Sequence, residues 1–142
     1  MTARRIPGLR QASPAGDDVP DGFFLVRVER LQYRWQRRHP YFIIRLSVIE
    51  PSAFAGRKLC GRLYSTPRAL WKLSWFLRDF GYDPGLLHSE EVDERAVKEL
   101  IGIVNVSHQI LDGRSLVNFE GFAPASQWAE LAPFLPPGAA AA

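Results

Sequence analysis

GFFLVRVERLQYRW, residues 22–35, is the stretch from which the fold follows. Phe24, Val26 and Val28 fall on one parity and Arg27 and Glu29 on the other, the two-residue period of a strand with one buried face. After Val28 the apolar parity flips to Leu31, Tyr33 and Trp35. A one-residue slip moves every later side chain to the opposite face, so the flip predicts a bulge or sharp bend near Glu29 and Arg30, as in strongly curved barrel strands. With a true bulge Tyr33 and Trp35 point into the barrel; without one they join the Arg27 face. For Trp35, beside the following loop, exposure is the expectation.

Outward from that strand, Gln36 to Pro40 reads as a basic connection. Tyr41 to Ile49 then alternates Phe42, Ile44, Leu46 and Val48 with Tyr41, Ile43, Arg45 and Ser47, a second strand. Pro51 to Gly56 is a loop, and Lys58 to Tyr64 a third strand with Leu59, Gly61 and Leu63 on its apolar side. Thr66 before Pro67 signals a helix start, and Leu70, Leu73, Leu77 and Phe80 recur at helical spacing up to Gly81, predicting a helix over 67–80. Tyr82 to Gly85 makes a turn, and a short second helix fits Asp93 to Leu100. Two strands, Ile103 to Ile110 and Ser115 to Phe122, meet at Asp112-Gly113, a strong hairpin signal.

The order β-β-β-α-α-β-β predicts a mainly β fold with helices: a five-stranded, OB-fold-like Greek-key barrel, whose second and third strands and loops L12 and L45 are the usual oligonucleotide-binding surface. A split sheet with one helix packed on it satisfies the same order. The barrel is expected over 22–130, between a Pro- and Gly-containing N-terminal tail at 1–21 and a Pro- and Ala-rich C-terminal tail at 131–142, both read as flexible. At 142 residues and 46% hydrophobic composition the chain suffices for one core. It has neither an apolar run of membrane-span length nor a secretory signal, so a cytoplasmic location is expected. Cys60 is the only cysteine, which excludes an intrachain disulfide; it reads as a small packing residue.

Charge is segregated along the chain. Between Arg27 and Tyr64 nine Arg or Lys face only Glu29 and Glu50, a net of +7 in a chain whose total is +3. From 67 to 142 six cations face ten carboxylates, a net of −4. Tyr33, Trp35, Tyr41 and Tyr64 are interleaved with the cations, and this mixture suits a polyanion carrying flat bases. A basic patch by itself also serves solubility, phospholipid or an acidic protein.

Gly56-Arg57-Lys58-Leu59, the helix from Leu70 to Gly81, and Leu100-Ile101-Gly102 running into Asp112-Gly113 and Asn118 together resemble the phage-type OB-fold single-stranded DNA-binding proteins. The resemblance spans about residues 22–124 and rests on short, mostly structural motifs. It implies a role in replication, recombination or repair. Many proteins of that group recruit partners through an acidic C-terminal tail, whereas this chain ends in proline and alanine.

The nucleic-acid-binding candidates are Tyr33, Trp35, Arg37, Arg38, Tyr41, Arg45, Arg62 and Tyr64. Arg37 and Arg38 sit in L12, where long cations can follow phosphates. Arg45 and Arg62 lie opposite the apolar set of their strands and are expected on one outer face, which is also what an ordinary polar sheet face would give. Tyr41 and Tyr64 share that parity and suit stacking on bases, with cross-strand packing as the rival. Trp71 and Trp75, one helical turn apart, read as core residues or as part of an oligomer interface.

No catalytic set is expected. His39, His88 and His108 lack ligand spacing, so no metal or cofactor is anticipated, and the acidic group Glu90, Glu91, Asp93 and Glu94 reads as a helix start. Two functions follow from the residues: non-catalytic binding of single-stranded DNA, with RNA left open, or a protein-interaction or homo-oligomeric module using the basic face and the Trp71/Trp75 helix.

Overall fold

The computed structural model describes Ala3, residues 19–35 and residues 37–131. Apart from Ala3, 19–21 and Leu131, the expected tails lie outside the described residues. The strands are β1 (Gly22–Arg34), β2 (Tyr41–Glu50), β3 (Lys58–Tyr64), β4 (Ile101–Leu111) and β5 (Arg114–Pro124). Helices α1 (Leu70–Asp79), α2 (Pro84–His88) and α3 (Glu94–Val97) lie between β3 and β4, and α4 (Trp128–Leu131) follows β5. The strands form one antiparallel sheet in the order β3-β2-β1-β4-β5.

The expected bulge is present in β1. Val28 pairs with Leu46 and Arg30 with Arg45, which leaves Glu29 as the extra residue. The phase change lets Phe24, Val26, Val28 and then Leu31 all turn inward and become buried. β5 repeats the device: Val106 pairs with Phe119 and Asn105 with Gly121, so Glu120 is extra. Phe119 and Phe122, three residues apart, are both buried as a result.

The inner face carries Ile44, Leu46, Leu59, Leu63, Val104 and Val106 besides these residues, and α1 covers it with Leu73, Phe76 and Leu77. Phe76 lies 4.6 Å from Phe80 and 5.3 Å from Phe122, centroid to centroid. Strand glycines leave room for rings. A Cβ at Gly102 would come within 2.5 Å of Phe80, one at Gly121 within 2.6 Å of Trp75, and one at Gly61 within 2.5 Å of Phe119.

The Gly61 contact bears on the expected barrel, which the structure corrects. β3 and β5 are the two edges of the sheet, so the sheet is not closed into a barrel. Where these edges approach, the Phe119 ring lies against Gly61, and contact between a side chain and backbone stands in place of a ladder.

Three local expectations also change. The helix predicted over 67–80 has its regular part at Leu70–Asp79; Thr66 instead accepts the amides of Ala69 and Leu70 through its carbonyl, so the Pro67 segment is a turn leading in. The helix predicted over 93–100 ends at Val97, because Glu99 and Leu100 bond to both backbone groups of Val28 and begin the run into β4. The turn expected at 82–85 opens α2, where Asp83 caps the amides of Gly85 and Leu86. The β4–β5 turn is as anticipated, with Asp112 and Gly113 both at positive φ, as a tight two-residue hairpin requires.

The Phe119–Gly61 contact yields a stability prediction. Phe119→Ala is expected to lower unfolding free energy by about 3–5 kcal/mol through cavity formation. Gly61→Ala should cost about 1–3 kcal/mol by overpacking. In a Phe119→Leu background the alanine penalty should shrink, since the clashing ring edge is gone. Urea midpoints of wild type and these four variants check this, and an undiminished alanine penalty would refute the contact.

Candidate nucleic-acid interface

Strand register determines which candidates share a face. Across β1, β2 and β3 the outward rows are Arg34, Tyr41 and Tyr64; Gln32, Ile43 and Arg62; Arg30, Arg45 and Cys60; and Arg27, Ser47 and Lys58. Arg45, Arg62, Tyr41 and Tyr64 therefore belong to one side of the sheet, as strand parity predicted. Cys60 is exposed among them and is not the packing residue expected from sequence.

The two arginines have different surroundings. Arg62 holds its guanidinium 4.6 Å from the centroid of the Tyr41 ring. A hydrogen bond with Tyr64 raises its pKa above the ordinary arginine value, against a smaller opposing effect of burial. Arg45 is exposed, with its Nε 3.3 Å from a Glu29 carboxylate oxygen. The other Glu29 oxygen receives the Lys58 ammonium, which also lies 3.4 Å from the Ser47 hydroxyl.

Tyr41 corrects an expectation. Although on the outward parity, it is 7% exposed, covered by the Arg62 guanidinium and by Tyr64, whose ring centroid is 5.5 Å away. Cross-strand packing has taken the surface proposed for base stacking. Tyr64 stays partly open, at 37% exposure.

Tyr33 is carried by the bulge to the inner side. Its ring meets Phe42 edge-on at 5.2 Å near the rim of the core, and its amide donates to Glu94 at 2.7 Å. It is thus off the Arg45–Arg62 face. Trp35, one residue beyond β1, is 72% exposed, and Arg37 and Arg38 are exposed beside it. These three flank the sheet face at the L12 end.

A groove of about 760 Å³ runs beside β3, with Cys60, Arg62 and Tyr64 on one wall and Gln109, Leu116 and Asn118 of the β4–β5 hairpin on the other. No hairpin residue was among the sequence candidates. The available signal was the tight Asp112-Gly113 turn flanked by Ile110 and Leu116, apolar residues that are 77% and 45% exposed. Near the groove the Glu120 carboxyl accepts from Ser107 and Asn118, and these hydrogen bonds hold its pKa below the usual carboxylate range.

Elsewhere, α1 exposes Trp71 at 61%, stacked on Trp75 at 6.1 Å, while Trp75 packs against Phe122 and donates its indole N–H to Asp79. The acidic segment before α3 behaves as a helix start in part: Asp93 accepts the Arg95 amide, while Glu94 turns to Tyr33. Among the described residues no helix is long and apolar enough to cross a membrane.

The contrast between Tyr41 and Trp35 is measurable. Trp35→Ala should change unfolding free energy by no more than about 0.5 kcal/mol. Tyr41→Ala, which removes a buried ring, should cost about 3 kcal/mol. Equal effects in chemical denaturation would contradict the placement of the two rings. A scan against protein-family models finds no match for this chain, and a search of curated proteins likewise finds none.

Proposed function

We propose that this chain is a non-catalytic single-stranded DNA-binding domain of OB-fold type that works in the cytoplasm in replication, recombination or repair. The observation that carries this reading is the placement of Arg62 and Tyr64, cation beside open ring, along a groove lined by the β4–β5 hairpin. A cation can meet a phosphate there while a ring offers its face to a base. The order β3-β2-β1-β4-β5, with a helix between β3 and β4, supports the OB-fold assignment, since that fold is a partly open five-stranded barrel whose second and third strands bind oligonucleotides. The +7 segment supports a polyanion as ligand.

In this reading Arg62 contacts phosphate and Tyr64 stacks, with Arg45 farther along the same face. Arg37 and Arg38 follow the backbone at the L12 end, where Trp35 supplies a second stacking platform. Tyr41 acts indirectly, by positioning Arg62. Binding is sequence-tolerant, because stacking does not depend on base identity.

The exposed Trp71 favours a second reading, in which α1 docks a protein or a second copy of the chain. Fluorescence titration with oligo-dT separates the two. Under the first reading, affinity falls with salt at a slope of about −0.7 per neutralised phosphate. Tyr64→Ala and Trp35→Ala should each weaken binding by about 1–3 kcal/mol, with oligomeric state unchanged. No binding at low salt would refute the first reading.

A further inference from the structure

Glu29 is the bulged residue of β1, and its place on the cationic face needs its own account. It is the extra residue between two paired positions, so its side chain joins the outward row rather than the core. Its carboxylate takes two cations at once, Arg45 through one oxygen and Lys58 through the other. Its side chain is 24% exposed, whereas those of Arg45 and Lys58 are 55% and 37% exposed. The carboxylate is thus less exposed than the two cations and neutralises part of the charge they would offer a phosphate. Arg30 follows it in the strand, and Arg27 on the same face is paired with Glu99 at 3.5 Å, so Glu29 is the carboxylate that serves Arg45 and Lys58.

We propose that Glu29 is a built-in counterion that occupies Arg45 and Lys58 and thereby limits how many phosphates the face neutralises. The inference rests on the proposed DNA-binding reading and deepens it by dividing the face in two. Arg62 lies over a ring and keeps its charge available, whereas Arg45 and Lys58 are engaged by Glu29. A strand is then gripped at the Arg62–Tyr64 end and held more loosely past Cys60. This suits a domain that must bind and release a strand, and it makes Glu29 the residue that sets affinity and salt dependence.

Glu29→Gln keeps the shape and removes the charge. Oligo-dT titrations at several salt concentrations, on wild type and variant, read the effect. The expected result is tighter binding by about 3- to 10-fold at low salt, with the salt slope steeper by about 0.7 for each cation released. Glu50→Gln, which removes the same charge near the end of β2, should give a smaller gain and controls for net charge. Lys58→Met completes a double-mutant cycle: it should cost little affinity in wild type and several-fold more in the Glu29→Gln background. Thermal melting establishes that each variant is folded.

If wild type binds and folded Glu29→Gln gains no affinity, or Lys58→Met costs the same in both backgrounds, the proposal is overturned and the binding reading stands. If neither chain binds at low salt, both fall.

Discussion

The contact of the Phe119 ring with Gly61 joins the two edges of an open sheet, and the remaining architecture depends on it. An edge strand exposes unpaired backbone groups, and β3 and β5 have no ladder between them. Between them lies an aromatic side chain that fits only because its neighbour has no Cβ, and α1 packs on both strands. The same arrangement recurs at Gly102 with Phe80 and at Gly121 with Trp75, so rings from the core and α1 lie directly on strand backbone. The sheet is curved around these rings, and the groove between β3 and the β4–β5 hairpin is the outside of that junction.

Of the three register shifts in the sheet, at Ile49, Glu29 and Glu120, the last two turn core residues inward and also shape the outer face. Without the extra residue Glu120, Phe119 and Phe122 could not both face inward, and without Glu29, Leu31 could not follow Val28 into the core. Each of these two places a glutamate outside. Glu120 collects hydrogen bonds from Ser107 and Asn118, and Glu29 collects Arg45 and Lys58. These two bulged residues thus also adjust the charge of the sheet's surface.

Much of this was legible in the sequence, because burial imposes periodicity. The alternation of Phe42, Ile44, Leu46 and Val48, the parity flip after Val28 and the Asp112-Gly113 turn each have one dominant physical cause, and each was read correctly. The flip at Glu120 was legible in principle from the spacing of Phe119 and Phe122. Long-range competition was not. Nothing local shows that Glu99 and Leu100 bond to Val28 and so cut α3 short, or that Phe119 reaches Gly61 in place of a closing ladder. For the site, parity correctly grouped Arg45, Arg62, Tyr41 and Tyr64 on one face. It could not reveal that Arg62 and Tyr64 cover Tyr41, nor that Glu29 faces Arg45, because those contacts depend on register between strands.

In the proposed function one sheet face, with its adjoining groove, takes the strand. Amide chemical-shift mapping of the isotope-labelled chain during titration with oligo-dT tests this most directly. The largest shifts are expected on Arg62, Tyr64 and the hairpin residues Gln109 and Asn118, with Trp71 on α1 unaffected. Shifts concentrated on α1, with β3 and the hairpin unchanged, would contradict it.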